Sequence, residues 1–323
     1  MGGPKVVVTR RWPEAVEDEL KKHFEVTLNR DDTPMDREAL AQALATADAL
    51  FPTVTDRIDA ELLATEPLSV RFIGNFGVGF NNIDVAAARA RGLMVTNTPD
   101  VLTAATADLA MALLLAVARR LGEGERHLRG RAWNGWRPTH MMGTQVTGKT
   151  LGIIGFGRIG QAVARRAHAG FEMRVIFFDP YPPSDELLRS LGAERRATIE
   201  DVLAESDFVS LHCPATPENR HLMNAGRLKA MKREAFLVNT ARGDVVDEAA
   251  LDTALEAGTI AGAGLDVFER EPEVTPGLFG RENVVLLPHL GSATRETRVA
   301  MGLKVLENAL AFFAGQEPPN RVA

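Results

Sequence analysis

The chain has 323 residues, of which 45% are hydrophobic and 25% charged, with a formal net charge of -6. That length predicts about two domains, and the mildly acidic balance excludes the basic surface that nucleic-acid binding requires. The single cysteine, Cys213, excludes an intramolecular disulfide, and the N-terminus lacks the apolar core of a secretory signal, so we expect a cytoplasmic protein.

Short apolar runs alternate along the chain with stretches of helical periodicity. The runs that predict strands are Val6–Val8, Val70–Ile73, Leu93–Thr96, Leu151–Ile154, Arg174–Phe178, Phe208–Leu211, Phe236–Val238 and Val284–Leu287. Helical spacing lies between many of them, as in Val85–Arg91, Ile159–Ala169 and Glu248–Ala257. Because several strands are apolar on both faces, the pattern predicts an α/β protein with doubly wound parallel sheets.

Two longer predicted helices, at about 101–121 and 293–314, interrupt this rhythm. They predict a two-segment connection between a domain of residues 1–100 plus 291–323 and a domain of residues 101–290. The first contains the most apolar stretch of the chain, Leu109–Ala118, which is shorter than the ~20 residues of a membrane span and predicts a buried helix.

The segment Arg126–Gln145 has no clear period and is expected to be an extended arm. It is either a surface loop or an oligomer contact. The oligomer contact is the more specific interpretation, because large apolar side chains such as Trp133, Trp136 and Met142 are costly to leave in water.

The motif Gly155-x-Gly157-x-x-Gly160 directly follows a predicted strand and opens a predicted helix. Asp179 ends the next strand, 19 residues after the third glycine. Such glycines allow a tight turn, let backbone amides approach a pyrophosphate and let helix and strand pack closely. A carboxylate at Asp179 would bind both ribose hydroxyls and repel a 2′-phosphate, so the motif predicts NAD in preference to NADP.

Further polar residues follow other predicted strands, where α/β sheets place their ligands. Arg242 follows Phe236–Val238, and its planar guanidinium suits a carboxylate with an adjacent carbonyl. His289 follows Val284–Leu287, and an imidazole paired with a carboxylate can serve as a proton donor near neutral pH. Spacing alone leaves open whether Glu269 or Glu271 is that carboxylate.

A glycine-rich segment, 74–80, follows the predicted strand Val70–Ile73. With glycine at positions 74, 77 and 79, its backbone amides can face outward and form a nest for a substrate carboxylate. The alternative is a plain turn.

Taken in chain order, these motifs identify the sequence as resembling the D-isomer-specific 2-hydroxyacid dehydrogenases. The motifs that carry the resemblance are Gly155-x-Gly157-x-x-Gly160, His212-Cys213-Pro214, Asn239-Thr240-Ala241-Arg242-Gly243, Leu265-Asp266-Val267-Phe268-x-x-Glu271-Pro272 and Pro288-His289-x-Gly291-Ser292-Ala293-Thr294. The segments 77–84 and 97–99 are most similar to the glyoxylate/hydroxypyruvate reductase branch. The resemblance implies two Rossmann-like domains, the first of them flavodoxin-like, that close over a cleft.

The resemblance also implies the catalytic roles. Arg242 would bind the carboxylate and carbonyl of a small 2-keto acid, and His289 would be the acid–base group. Glu271, the residue before Pro272, would be the partner of His289, which decides the choice against Glu269. NADH would deliver hydride to C2 of the substrate while His289 protonates its oxygen. The implied substrate-binding residues are Val78, Gly79, Arg242 and His289.

The cofactor residues and the partner follow from the same resemblance. Asp266 would orient the nicotinamide carboxamide. The other implied cofactor residues are Thr106, Gly155, Gly157, Arg158, Ile159, Gly160, Asp179, Cys213, Thr240 and Gly291. The family is usually dimeric, so a homodimer through residues 101–145 is expected, in which Trp133 or Trp136 reaches the partner's active site. No metal site, nucleic acid or membrane is expected.

Three alternatives remain at this stage. Phosphoglycerate dehydrogenase is the nearest, although many of its members carry C-terminal regulatory domains and this chain ends soon after its last predicted helix. Formate dehydrogenase is disfavoured, since that branch lacks the glutamate found here at Glu271. A dinucleotide-sensing binding protein, such as the C-terminal-binding-protein corepressors, keeps the same catalytic residues but carries long disordered tails.

Overall fold

The structure is a computed structural model that describes residues 3–323, and these form two compact units. One unit runs to Leu102 and resumes at Ser292–Ala323, and the other is Thr103–Gly291. Each unit contains a single parallel sheet flanked by helices.

The first unit begins with five strands that alternate with four helices. In chain order they are β1 (Lys5–Val8), α1 (Glu14–His23), β2 (Glu25–Leu28), α2 (Arg37–Thr46), β3 (Ala49–Phe51), α3 (Ala60–Leu63), β4 (Phe72–Gly74), α4 (Val85–Ala90) and β5 (Met94–Thr96). The sheet order is β2-β1-β3-β4-β5, which is the flavodoxin-like order. The central strands β3 and β4 are buried along their whole length, as parallel strands covered on both faces are.

The second unit contains a larger sheet. Its elements are α5 (Thr103–Ala118), α6 (Leu121–Arg129), β6 (Thr150–Ile154), α7 (Arg158–Phe171), β7 (Arg174–Phe178), α8 (Asp185–Ser190), β8 (Ala193–Arg195), α9 (Ile199–Glu205), β9 (Phe208–Leu211), α10 (Ala225–Ala230), β10 (Phe236–Asn239), α11 (Glu248–Glu256), β11 (Gly262–Leu265), α12 (Pro276–Phe279) and β12 (Val284–Leu286), with 3₁₀ turns at Pro217–Asn219 and Gly243–Val245. The order β8-β7-β6-β9-β10-β11-β12 is that of a Rossmann sheet with one added strand.

The first unit is completed by a long C-terminal helix, α13 (Arg295–Phe313), which packs on α1 and β4. Small residues allow this close approach. A Cβ atom on Gly302 of α13 would lie 2.6 Å from the Val16 side chain of α1, and one on Gly74 of β4 would lie 2.6 Å from Val305 of α13. The final residues of the chain return to the sheet, where the Val322 amide donates to the carbonyl of Val95 in β5 at 2.7 Å.

Most helices begin at a side chain that accepts a hydrogen bond from the first turn. These N-caps are Asp36, Asp59, Asp84, Ser184, Thr198, Asn224, Asp247 and Thr294, all residue types favoured at that position. Helix α7 differs, because its N-cap is Gly157 and has no side chain to bind the first amides.

The fold class predicted from the sequence is confirmed, as are the eight predicted strands, with ends displaced by up to two residues. Three short strands were not predicted: β2, β3 and β8. Each has only three or four residues, and β2 and β8 lie at sheet edges. Runs this short offer too few apolar positions to mark a strand. The strand expected just before Asp266 is β11, although it is mostly glycine and alanine.

The prediction of one helix over 101–121 and an irregular arm from Arg126 was wrong in detail. Helix α5 ends at Ala118, Arg120 adopts a left-handed φ of 55°, and a second helix, α6, continues to Arg129. Helix α6 has two leucines, Leu121 and Leu128, both exposed, and glycines at positions 122 and 124 lower its helix propensity, so the sequence did not mark it as a separate helix. The stretch Leu109–Ala118 is part of a buried helix, as predicted. Within residues 3–323, no helix is long and apolar enough to span a membrane.

Candidate active site

The predicted site residues of the second unit follow neighbouring strands of its sheet. The order β12-β11-β10-β9-β6-β7 places side by side the segments that begin after each strand, with His289, Asp266, Arg242, Cys213, Gly155 and Asp179 respectively. All strands are parallel, so these segments share the carboxyl edge of the sheet. That edge is where open α/β sheets bind ligands.

The glycine-rich loop between β6 and α7 has the backbone that its sequence requires. Gly155 adopts a φ of 91°, a left-handed conformation that favours glycine. A Cβ atom on Gly160 would collide with the Gly155 carbonyl oxygen, so the helix starts against the loop. At Gly157 a Cβ atom would meet nothing within 4 Å. The start of α7 is therefore open to an incoming anion, and its helix dipole favours negative charge there.

Asp179, at the end of β7, is bound to this loop. One carboxylate oxygen accepts the Phe156 amide at 2.6 Å, and the other accepts the Tyr181 amide at 2.8 Å. Each oxygen keeps a further lone pair for another donor. The acid therefore ties the end of β7 to the glycine-rich loop and remains half-buried beside it.

His289 and Glu271 form a direct pair. The Nδ1 atom of His289 lies 2.7 Å from Oε2 of Glu271, and the second oxygen of Glu271 accepts the Phe268 amide at 3.1 Å. Burial acts to raise the pKa of Glu271, but the hydrogen bond and positive charge of His289, the Phe268 amide and the charge of Arg242 together lower it. Glu271 is thus ionised at neutral pH and binds the ring through Nδ1, which leaves Nε2 for a substrate.

The backbone of His289 is held in a sparsely populated conformation. Its φ is 56°, which costs energy for a residue with a side chain. Asp266 maintains it: the His289 amide bonds to the Asp266 carbonyl at 2.8 Å, and the buried Asp266 carboxylate accepts the amides of Leu290 at 2.6 Å and Gly291 at 2.8 Å. Burial raises the pKa of Asp266 despite these bonds and the nearby charge of His289.

Arg242 projects from a turn that Asn239 organises. The buried Asn239 side chain donates to the Arg242 carbonyl at 2.9 Å and accepts the Ala241 amide at 3.0 Å. The guanidinium donates from Nη1 to the Ala241 carbonyl at 2.7 Å. Burial lowers the pKa of Arg242, while the charges of Glu271 and Asp244 oppose the shift. A guanidinium remains protonated even so, and it provides a fixed positive charge near Glu271.

The remaining predicted cofactor residues occupy the same edge. Thr106 in α5 donates to the Gly291 carbonyl at 3.1 Å. Cys213 is buried after β9, and burial raises the pKa of its thiol to about 11. Arg158 and Ile159 open α7 beside the glycine-rich loop. Thr240 is buried and, within residues 3–323, its hydroxyl oxygen has no hydrogen-bond partner.

These features fit a dinucleotide. The uncapped start of α7 and the open space at Gly157 suit a pyrophosphate. The buried Thr240 hydroxyl, which lacks a partner among the described residues, is a polar group that a ligand would satisfy. Asp179 carries the negative charge expected at a ribose.

The predicted substrate loop, Gly77–Gly79, belongs to the first unit. Its three carbonyls are all hydrogen-bonded within that unit: Gly77 accepts the Thr98 amide at 3.0 Å, Val78 accepts the Asn97 side chain at 2.8 Å, and Gly79 accepts the Asn75 side chain at 2.9 Å. With the carbonyls fixed on one side, the Val78 and Gly79 peptide planes are held in place.

Sequence reasoning assigned no role to three buried residues that shape these segments. Asn75 supports the substrate loop, Asn239 supports the Arg242 turn, and Glu248 binds the segment that carries Glu271. The roles of Asn75 and Asn239 could have been predicted from the sequence, because an asparagine directly after a predicted strand often bonds to the backbone of the next residues. Glu248 had none, since its partners lie 21 and 27 residues away along the chain.

A Rossmann sheet with an open glycine-rich turn, together with an ionised glutamate bound to a histidine at the same sheet edge, defines a dinucleotide-dependent dehydrogenase. The family model described as "D-isomer specific 2-hydroxyacid dehydrogenase, NAD binding domain" matches residues 111–291. The chain belongs to the D-isomer-specific 2-hydroxyacid dehydrogenase family.

Similar proteins extend over the whole chain. A glyoxylate reductase of Thermococcus kodakarensis is 49% identical over 99% of this chain and 96% of its own length. Among solved structures, the TT0316 protein of Thermus thermophilus has a TM-score of 0.90 at 44% identity, with 99% of this chain and 100% of that chain covered. An NADPH-dependent glyoxylate/hydroxypyruvate reductase of Sinorhizobium meliloti, solved with NADP and malonate, has a TM-score of 0.88 at 36% identity and covers 99% and 97%.

Proposed function

We propose that this protein is a glyoxylate/hydroxypyruvate reductase that uses NADH to reduce a small 2-keto acid to a 2-hydroxy acid. The observation that carries the proposal is the 2.7 Å pair between His289 and Glu271, near the guanidinium of Arg242 on an NAD-binding unit. An acid–base group beside a fixed cation is what the reduction of a keto acid requires. The substrate class is supported by the name glyoxylate reductase, carried by relatives 48–49% identical over 99% of this chain.

His289 is the proton donor in this proposal. Its ring is held through Nδ1 by the ionised Glu271, so Nε2–H is available to the substrate oxygen. NADH, when bound, supplies the hydride that C2 of the substrate receives. His289 gives its proton to the oxygen, which becomes the hydroxyl of the product.

Arg242 orients the substrate. Its planar guanidinium can bind the carboxylate and the adjacent keto oxygen together, which places one face of C2 in a fixed direction. The same positive charge stabilises negative charge on the oxygen before the proton arrives. We propose that the backbone amides of Val78 and Gly79 also bind the carboxylate. Their peptide planes are fixed by the Thr98 amide, which donates to the Gly77 carbonyl, and by the Asn97 side chain, which donates to the Val78 carbonyl.

The cofactor would bind along the edge from Gly155 to Gly291, with its pyrophosphate at the start of α7. Asp266, Thr106 and Thr240 would lie at the nicotinamide end. We propose NADH over NADPH because the carboxylate of Asp179 would repel a 2′-phosphate. The similar Sinorhizobium meliloti enzyme is NADPH-dependent, so the preference of this chain needs its own test.

We further propose a homodimer through residues 101–145. Trp136 and Met142 are 81% and 67% exposed. A pocket of about 240 Å³ in the same segment is lined by Gly124, His127, Leu128, Trp133, His140 and Met141. Large apolar side chains around a pocket mark a protein-contact surface. The cytoplasmic location expected from the sequence stays a prediction.

The test is a set of initial rates of NADH and NADPH oxidation with glyoxylate, hydroxypyruvate, pyruvate and phenylpyruvate. We expect NADH with glyoxylate or hydroxypyruvate to give the highest kcat/KM. Binding of NADH without reduction of any of the four acids would contradict the proposal. It would favour phosphoglycerate dehydrogenase or a dinucleotide-sensing protein instead.

The residue roles are tested by His289→Ala and Arg242→Ala. Each should lose most of kcat/KM, about 10²-fold or more, because a positioned acid and a fixed cation each contribute on that scale. Arg233→Ala, at an exposed position on the same unit, is the matched control and should keep wild-type rates. Near-normal activity in either of the first two variants would refute the role assigned to that residue.

A further inference from the structure

Glu248 is a buried carboxylate outside the catalytic pair. It opens helix α11, six residues after Arg242, and is 5% exposed. One oxygen accepts the Glu269 amide, and the other accepts the Thr275 amide at 3.2 Å and the Thr275 hydroxyl at 2.7 Å. A buried charge is tolerated only with such bonds, and the first turn of a helix favours an anion. The position of Glu248 is therefore well fixed.

All three of these donors belong to one segment, residues 269–275, which carries Glu271. Within it the Glu273 amide bonds to the Arg270 carbonyl at 2.9 Å, so the chain turns sharply at Glu271. Glu248 binds this turn at both ends, at Glu269 and at Thr275. A single side chain on α11 thus fixes where the turn lies, and with it the carboxylate that holds His289.

Other contacts of the segment are weaker or less buried. The Glu269 carboxylate accepts Arg220 and His221 at 2.9 Å each, but Arg220 is largely exposed and such pairs contribute little. Gly243 packs its backbone directly on Phe268, where a Cβ atom would collide. That contact sets the distance between the Arg242 turn and the Glu271 segment but provides no hydrogen bond. Glu248 is the buried polar anchor of the segment.

We propose that Glu248 is a positioning residue: it holds the 269–275 turn so that Glu271 meets His289 before substrate binds. This inference rests on the proposed roles of Glu271 and His289. The charged groups near the pair are Asp266 after β11 and Arg242 after β10. A displaced Glu271 no longer holds the His289 ring through Nδ1, so the reductase should lose catalytic rate while its affinity for the substrate is kept.

The kinetic test compares Glu248→Gln, Glu271→Gln and the double variant in NADH-dependent reduction of glyoxylate at one fixed pH. Glu248→Gln keeps the side-chain shape but presents an N–H to the backbone donors. We expect kcat to fall about 10-fold or more, with KM within about 2-fold, because misplaced catalytic groups cost rate. Glu271→Gln should show the same split between kcat and KM. The double variant should be no slower than Glu271→Gln alone.

Glu256→Gln is the matched control, because Glu256 ends the same helix and is exposed. It should match the wild type in kcat and KM. Losses that multiply in the double variant, or a wild-type kcat in Glu248→Gln, would overturn the inference. If Glu248→Gln does not fold, Thr275→Val removes one of the three donors and should lower kcat by less.

A second readout needs no turnover. NMR of ¹⁵N-labelled histidine rings, with His289 assigned from a His289→Gln sample, reports the hydrogen bond at Nδ1 of that ring without cofactor or substrate. Glu248→Gln should shift the Nδ1 signal in the direction of Glu271→Gln. A lower melting temperature with a wild-type Nδ1 signal would show a merely structural role. A shifted Nδ1 signal in a protein that reduces none of the keto acids would retain the positioning role and reject the proposed function.

Discussion

Cys213 illustrates how burial decides the chemistry of a residue at the cofactor edge. The sequence names it only as a member of a motif, and a thiol next to a proposed cofactor site could be reactive. The structure buries it after β9, with Gly155 packed against its backbone. Burial, helped by the charges of Asp179 and Asp244, raises its pKa to about 11. The neutral thiol is therefore the form present near neutral pH.

We predict that iodoacetamide alkylates Cys213 at pH 8 about 10²-fold more slowly in the native protein than in denaturant. The thiolate is the reactive form, and a rise of about two units in the pKa lowers its fraction by that factor. The rate should rise with pH until about pH 11. Mass spectrometry gives the labelled fraction without ambiguity, since the chain has one cysteine. Rapid native labelling at pH 8 would contradict the burial of this strand end.

His289 and Glu271 show which contacts of single residues the sequence could predict and which it could not. The spacing left Glu269 and Glu271 as equal candidates, and the family resemblance favoured Glu271. In the structure Glu271 contacts His289, whereas Glu269 turns to Arg220 and His221. The two acids are two residues apart, so a sharp turn sends them to different neighbours, and no local pattern encodes that outcome.

At the scale of elements, the strand-to-helix junction at β6 and α7 was predictable because its requirements are local. A tight turn, an open helix start and a close helix–strand contact each demand a glycine at one position. The link from this loop to β7 was not predictable. Asp179 accepts the Phe156 amide, which joins two segments that are neighbours only because β6 pairs with β7.

This link gives a prediction for the cofactor. Asp179→Ser should raise the ratio of kcat/KM for NADPH over NADH by about 10-fold to 100-fold, because it removes a negative charge that would face the 2′-phosphate. It should also lower the melting temperature slightly, since the Phe156 and Tyr181 amides lose their acceptor.

Asp185→Asn, in the first turn of the nearby helix α8, is the control for a general change in charge. It should leave the cofactor ratio unchanged. An unchanged ratio in Asp179→Ser would show that the ribose binds elsewhere.

At the scale of the whole molecule, the largest set of exposed apolar side chains lies on and after α6. These are Leu121, Leu128, Trp133, Trp136 and Met142. The sequence raised the possibility of a contact from residue types alone, and the structure leaves them on the surface of the second unit. Surfaces of this kind are typical of protein contacts.

We predict that the wild-type protein is a dimer by light scattering and that Trp136→Glu weakens it by at least about 10-fold in Kd. A charge placed within an apolar contact is costly to bury. Leu303→Glu is the control, because Leu303 is 42% exposed and belongs to the first unit. A monomeric wild type, or dissociation caused by Leu303→Glu instead, would place the contact elsewhere or remove it.

The sequence by itself determined the fold class, most strands, the glycine-rich loop and the types of residue that the site uses. Each of these depends on local periodicity or on a residue whose conformation the turn requires. Helix α6 and the strands β2 and β8 were not predicted, because short elements without fully buried side chains offer too few apolar positions for a pattern to be recognised.

Only the tertiary structure decided which polar groups meet. Arg242, Glu271 and His289 lie on segments that follow β10, β11 and β12, and the pairing of those strands brings them to one edge. The buried carboxylate of Glu248 reaches the Glu271 turn across more than 20 residues of chain. Such contacts depend on the register of paired strands and the closing of long loops, which no window of sequence contains.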